Sequence, residues 1–499
     1  MNSFAKVFCV MSSLLSILGY AGHAAGAEEN IDGIILKPSS IRLGVERIKL
    51  PGNEPMGMLG TSFLIQITPN LYLGPAAYGA VSGHRGGFFT GGGELAWRQK
   101  LLSKMELETG VYVGGGGGGT SLVGGGLMVR PHLDLLWNFG GYRAGISASN
   151  VRFPNGAINS SQLGLVWAAD SDFTYASPEL IGQRIDAKGR TGVGFDRVLV
   201  TLGSYHPRSG STNLNGVPNT NSIGYAGFRM EQFLSPTYYW GIEAAGAGTG
   251  GAAGYAEYLA TAGAETPMWD NKLTLGARLA LGMGGGGSIS VGGGQLAKVG
   301  AYATANLGRD THLTLEGGYA HAPNGTFRAT YGQVIFGWDL DHPDVSEGQA
   351  TVVRNEWVMG SERYSAAARR DGSKQSLDAI NLKLNRYLTP NLYLTGQAHS
   401  AYDGNAGGYS VGLVGVGFRI KKFTWPVSVG AELLAGAAGG GGVDTSGGAI
   451  VQPMAYLGLD LTKSVGLRLS AGRVKSLKGD LNSNVLDLSA SFSFGTTSH

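Results

Sequence analysis

Apolar and polar residues alternate with a period of two along most of this chain. In the C-terminal stretch VLDLSASFSF, Leu486, Leu488, Ala490, Phe492 and Phe494 fall on one face. Asp487, Ser489, Ser491 and Ser493 fall on the other. NLYLTGQAH sets Leu392, Leu394 and Gly396 against Tyr393, Thr395 and Gln397, and GLRLSAGR sets Leu467, Leu469 and Ala471 against Arg468 and Ser470. Period-two alternation predicts β-strands with one apolar and one polar face. Few segments carry the i, i+3, i+4 spacing of an amphipathic helix. In the N-terminal third the pattern predicts eight strands, near 40–49, 58–67, 71–81, 86–98, 105–115, 122–137, 142–150 and 161–169.

The same organisation recurs three times. TPNLYL begins at Thr68 and again at Thr389, with SPTYYW at Ser235 between them, giving spacings of 167 and 154 residues. Blocks of four glycines begin at Gly116, Gly284 and Gly439, spaced by 168 and 155. PNG at Pro154 and Pro323 aligns with LKG at Leu477, spaced by 169 and 154. Three independent landmarks with nearly equal offsets define a tandem repeat. The expected organisation is a leader at 1–27, then repeat units at 28–192, 193–351 and 352–499, each of eight strands. The first strands of the second and third units are expected near Val193 and Val352. Tight turns such as TPN, KLLSK, MWDNK and IKKFT are expected at one end and longer loops at the other. The segments Ala168–Arg190 and Asp339–Gln349 are expected to join the units at the turn end.

The first 27 residues hold one basic residue, Lys6, an apolar run from Val7 to Ala21, and a small-x-small site at Ala25–Ala27. That is the pattern of a cleaved secretory leader. Cys9, the single cysteine, lies inside it, so the mature chain is expected to lack disulfides and thiolate ligands. Without the leader the charge is 37 Lys+Arg against 35 Asp+Glu, too balanced for a nucleic-acid-binding protein. No further apolar run is long enough to cross a bilayer as a helix. Export, about two dozen alternating strands, alternating short and long connections, and Phe492 and Phe494 near the C-terminus together resemble the outer-membrane β-barrels of Gram-negative bacteria. The resemblance covers nearly the whole mature chain and names no particular family. It implies outer-membrane lipid and lipopolysaccharide as surroundings, and barrel-assembly machinery engaging the C-terminal strand. Trp97, Trp137, Trp240 and Trp338 near strand ends suit its interfacial aromatic belts.

A sheet in lipid must close, because an open edge leaves backbone groups unpaired. The expected closure is one barrel of about 24 strands, and the alternative is three separate eight-stranded barrels. Charged residues at strand positions are costly on the lipid face, so they are expected to face the lumen. These are Glu94, Glu108, Arg130 and Asp134 in the first unit, Glu243, Arg278 and Glu316 in the second, and Lys383, Glu432, Asp460, Arg468 and Asp487 in the third. Glu106, His132, Glu257, Lys298 and Arg419 share that pattern. Both signs occur in comparable numbers, which does not indicate a strongly ion-selective pore.

The glycine blocks, bounded by Gly116 and Gly126, Gly284 and Gly294, and Gly439 and Gly448, are expected as rim hairpins at the outer end. A phosphate-binding loop would need Lys-Ser/Thr and a helix after the last glycine, and Leu127, Gln295 and Ala449 stand there instead. GYSVG around Ser410 matches a nucleophile-elbow pattern but sits in a strand-like run. His321, before APNG, is a loop histidine with a faint likeness to barrel lipid deacylases. No histidine grouping has zinc-like spacing. The expectation is therefore no enzyme, no cofactor and no metal. Three functions remain open: a porin-like or secretion-associated pore, a non-conducting structural or surface-interaction barrel, and a lipid-modifying barrel enzyme.

Overall fold

The structure, a computed structural model, describes residues 29–31, 33–270, 272–308, 310–341, 347–421 and 426–499. The expected leader, with Cys9 and His23, lies outside the described residues, as do His342 and most of the IKKFT turn. After the short β1 (Glu29–Ile31) come eight strands: β2 (Ile34–Lys49), β3 (Pro55–Thr68), β4 (Leu71–Ser82), β5 (Phe89–Lys100), β6 (Met105–Gly117), β7 (Met128–Asn138), β8 (Tyr142–Arg152) and β9 (Asn159–Ala176). A short β10 (Arg184–Lys188) precedes eight more: β11 (Arg197–Pro207), β12 (Ile223–Phe233), β13 (Tyr238–Ala247), β14 (Ala256–Met268), β15 (Leu273–Gly285), β16 (Gln295–Asn306), β17 (Thr311–His321) and β18 (Arg328–Asp339). The last eight are β19 (Glu347–Ala368), β20 (Lys374–Tyr387), β21 (Leu392–Asp403), β22 (Ser410–Lys421), β23 (Val427–Gly439), β24 (Ala449–Asp460), β25 (Val465–Ser476) and β26 (Asn482–Ser498).

Each set closes on itself. β9 returns to β2 in antiparallel register from Ile34↔Ala176 to Glu46↔Gly164. β18 returns to β11 from Arg197↔Asp339 to Pro207↔Ala329, and β26 to β19 from Thr351↔Ser498 to Tyr364↔Val485. The expected single barrel of about 24 strands is not formed; the alternative, three eight-stranded barrels, is the closure observed. Width decides between them. Eight strands enclose a lumen that side chains can fill, and the inward face of each unit carries long Arg, Glu, Lys and Tyr side chains that reach one another only across so narrow a space.

Three element boundaries also differ from the sequence reading. The sixth strand starts at Met128 because Gly118–Leu127 forms the hairpin. Residues 168–176, expected in the first connection, extend β9, because β2 extends equally far to pair with them. The third unit's first strand starts at Glu347, since its first residues pair with β10.

The barrels are inverted relative to a soluble core. Leu163, Leu165, Ile146, Leu315 and Leu433 are exposed on the outer faces, while alternate residues such as Asp487, Glu94 and Arg278 are buried. Short turns lie at one end of all three barrels and longer loops at the other. Trp97, Trp137, Trp240 and Trp338 all stand within a few residues of the turn end of their strands, where an amphipathic ring suits a membrane interface. Also at the turn end, Phe173 and Tyr175 of the first barrel pack with Trp357, Phe492 and Phe494 of the third.

Candidate functional site: the three lumens and the glycine hairpins

In the first barrel, Arg42 on β2 meets Glu94 on β5 at 3.5 Å, Glu108 on β6 at 3.5 Å and Asp134 on β7 at 2.5 Å. These strands are not neighbours of β2, so the contacts run through the lumen. His132 bridges Glu94 and Asp134 at 3.4 and 3.2 Å. Arg130 holds Glu46 with two bonds of 2.8 and 3.0 Å, and Arg98 holds Glu108. In the second barrel, Arg278 joins Glu243 and Glu316 at 2.8 and 2.7 Å. Lys298 joins Glu243 and Glu257 at 2.5 and 2.9 Å, beneath the rings of Tyr205, Tyr225 and Tyr331. In the third, Glu356 receives Arg468 and Arg419, Lys383 meets Asp487 at 2.9 Å, and Glu432 accepts from Tyr393 at 2.7 Å. Asp460 pairs with Arg419 and Lys421 near the turn end and is partly exposed.

Glu94, Glu108, Arg130 and Asp134 thus share one network, as do Glu243, Arg278 and Glu316. Lys383 and Asp487 form a second cluster beside the one built on Glu356, Glu432 and Arg468. The sequence reading passed over Arg42, Glu46, Arg229, Glu356 and Glu362, all of which are buried. Their signal was present: in IRLGVERIK, Arg42, Glu46 and Ile48 alternate with Ile41, Leu43 and Val45. What alternation could not give was the partner of each charge. Sequence-equivalent positions are wired differently, since Arg130, Lys298 and Gln452 face Glu46, Glu243 with Glu257, and Glu362 respectively.

Glu108, His132 and Asp134 offer ligand atoms within 4.8 Å of one another, the one such grouping found among the described residues. Arg42 already contacts both of the carboxylates. A guanidinium beside the donors opposes a second cation by charge repulsion, so the residues do not fit a metal. Ser410 opens a strand that continues to Lys421, without the strand–turn–helix of a nucleophile elbow.

The glycine blocks each fold back on themselves: Gly116 donates to Gly126 O at 3.1 Å, Gly284 to Gly294 O at 2.7 Å, and Ala438 to Gly448 O at 2.8 Å. Each hairpin then touches the next barrel. The β15–β16 hairpin meets the β4–β5 loop, where Gly86 N donates to Gly292 O at 2.9 Å. The β6–β7 hairpin meets the β21–β22 loop, through Gly408 N to Gly116 O at 3.1 Å and Gly407 N to Gly124 O at 3.0 Å. The β23–β24 hairpin meets the β13–β14 loop, where a Cβ on Gly439 would lie 2.1 Å from Gly254 N. In every case the hairpin after a barrel's fifth strand contacts the loop after the next barrel's third strand. The contacts close a ring of three, a heterologous cyclic arrangement built within one chain. Backbone meets backbone at these seams, which is why they need residues without side chains. Arg85 braces one seam loop, reaching Glu54 and the Gly119 carbonyl, and its hydrogen bond holds the Glu54 carboxyl below the usual range.

Closed antiparallel barrels with an apolar exterior and a charged interior define the class of outer-membrane β-barrel proteins. No protein-family model matches the sequence, and a search of curated proteins finds no match. Among solved structures, Acinetobacter baumannii OccAB3 is similar at 11% identity, over 92% of this chain and 99% of that one, with a TM-score of 0.22. Pseudomonas aeruginosa OccK1 gives 10% identity, 93% and 99% coverage, and a TM-score of 0.24. A mutant of the Pseudomonas aeruginosa ferric enterobactin receptor gives 9%, 92% and 80%, and 0.29. Scores this low carry no argument about topology or function.

Proposed function

We propose that the chain is an exported outer-membrane protein in which three narrow barrels form one membrane-embedded platform. Its loop end is presented outward and its turns face the periplasm. The observation that carries this reading is the filling of each lumen. Arg42, Arg278 and Glu356 each bind two or more partners across the interior of their barrel. The platform would act through its surface, as an anchor or interaction scaffold, rather than by free diffusion through a barrel.

Transport of a polar solute, the first expectation from the sequence, then requires one of the three networks to open. Planar-bilayer recording separates the two. Purified protein that is folded and inserted is expected to show no persistent conductance at neutral pH. Steady, reproducible conductance steps from the unmodified protein would overturn the scaffold reading and support an open or spontaneously gated pore.

A further inference from the structure

At the loop end, the outward positions of each barrel's last two strands carry only cations, whereas the outward acid Asp378 on β20 is already paired with Arg363 at 2.8 Å. On the first barrel, Arg47 and Lys49 of β2 and Arg152 of β8 are exposed and flank the end of β9. Their side chains make no ion pair with any of the described residues. The neighbouring outward groups are Asn150, Asn159 and Ser161, already bonded to one another. Directly below lie the exposed apolar side chains Val45, Leu163 and Ile146.

The repeat reproduces this feature. Arg152 pairs in register with Asn159, His321 with Arg328, and Lys475 with Asn482. Both columns of this comparison, 152–321–475 and 159–328–482, keep the spacings of 169 and 154 residues seen for the PNG landmark. Each barrel therefore sets a cation at the top of its seventh or eighth strand, facing outward. Further cations adjoin each site: Arg47 and Lys49 in the first, Arg208 in the second, where its N–H donates to the Arg328 carbonyl at 2.9 Å, and Arg473 in the third. Asp480, close in sequence to the third site, lies in the loop beyond the strands. At the turn end the signs are mixed and charges pair, as in Lys463 with Glu179 and Lys421 with Asp460.

A collar of exposed cations, with no carboxylate partner among the described residues, directly above an apolar belt matches one occupant: a lipid whose acyl chains cover the belt and whose headgroup carries phosphate. We infer that these three sites bind phosphorylated lipid of the leaflet at the loop end, each pairing phosphate oxygens with Arg or Lys and hydrogen-bonding through Asn or His. The inference rests on the membrane-embedded reading above and deepens it by naming the lipid chemistry and the residues. The three sites would seat lipid on the flanks of the platform, away from the glycine seams.

The test uses the full mature chain in uncharged detergent micelles, with bis-phosphorylated lipid A added as the probe and binding counted by native mass spectrometry. The comparison probes are lipid A stripped of phosphate and inorganic phosphate alone. The triple variant R47Q/K49Q/R152Q is expected to bind the phosphorylated probe about a hundredfold more weakly at its altered site, with occupancy of the other two sites retained. These side chains are exposed on the outer wall, so folding should persist, checked by β-sheet circular dichroism and heat-dependent gel mobility. K463Q, at the turn end, is expected to bind as the unmodified protein does. Equal binding of the dephosphorylated lipid, equal binding by the triple variant, or full competition by inorganic phosphate would each overturn the inference. Failure of the membrane reading would appear separately, as protein that does not fractionate with the outer membrane in cells.

Discussion

Replacing Arg42 with methionine is expected to destabilise the first barrel by about 3–5 kcal/mol. Arg42 is the common partner of Glu94, Glu108 and Asp134, all fully buried. Methionine approximates the length of the side chain but leaves the three carboxylates facing one another, with His132, Arg98 and the Tyr78 hydroxyl left to compensate. An uncompensated buried charge costs far more than the net worth of the pair that held it. Equilibrium urea unfolding in lipid vesicles, followed by tryptophan fluorescence and by gel mobility of the folded form, measures the loss. R47M, the same change on the outer wall of the same strand, is expected to fall within about 0.5 kcal/mol of the unmodified protein. The triple change R42M/E94Q/D134N removes the stranded charges while leaving Glu108 paired with Arg98, and should recover most of the loss. A loss below about 1 kcal/mol for R42M would mean that water reaches the network and screens it. The filled-lumen account would then fail.

The glycine seams give the second large effect, on association of the barrels rather than on their folding. Gly86, Gly115 and Gly439 stand one at each seam, and none has the left-handed backbone that would make alanine strained in itself. A Cβ at Gly115 would lie 2.4 Å from the Ser400 carbonyl oxygen, one at Gly439 2.1 Å from Gly254 N, and one at Gly86 2.7 Å from the Gly292 oxygen. Backbone on the far side cannot swing away as a side chain can, so the barrels must part. The single native cysteine, Cys9, lies in the expected leader, and Phe89 and Tyr258 face each other across one seam with ring centroids 4.8 Å apart. In a background carrying F89C and Y258C, oxidative cross-linking should form readily. Adding G86A, G115A and G439A should cut its yield at least tenfold while β-sheet content is unchanged. Unchanged cross-linking would show that the seams tolerate a methyl group and that the glycines serve some other purpose.

These expectations place the molecule's stability in two separate kinds of contact. Within a barrel, backbone pairing closes the sheet, and charged side chains together with a buried apolar cluster toward the loop end fill it. Between barrels, near the loop end, the closest contacts are between main chains. Adjacent cations and anions inside a narrow lumen can each satisfy several partners, whereas a wide pore would leave the same groups to water. Small residues at the seams let three closed cylinders approach without interlocking side chains.

Strand positions, the three repeats and the inward placement of the charged face were legible in the sequence, because each depends on a local period or on simple self-similarity. Leu486 and Asp487 must point to opposite faces of any strand, whatever that strand pairs with. The glycine blocks stand out in the sequence for the same reason, since no side-chain pattern interrupts them. Closure was not. The edges of β2, β11 and β19 present the same hydrogen-bonding groups to any antiparallel partner, so alternation alone permits β9 to continue into a larger sheet as readily as to return to β2. Only the tertiary structure chose the return. It did so because the Arg, Glu and Tyr side chains of one unit are long enough to meet across eight strands and to satisfy one another there. The same closure brought Arg42 to Glu94, Glu108 and Asp134, residues separated by 52 to 92 positions along the chain, and turned three glycine hairpins from rim ornaments of one mouth into the joints between three barrels.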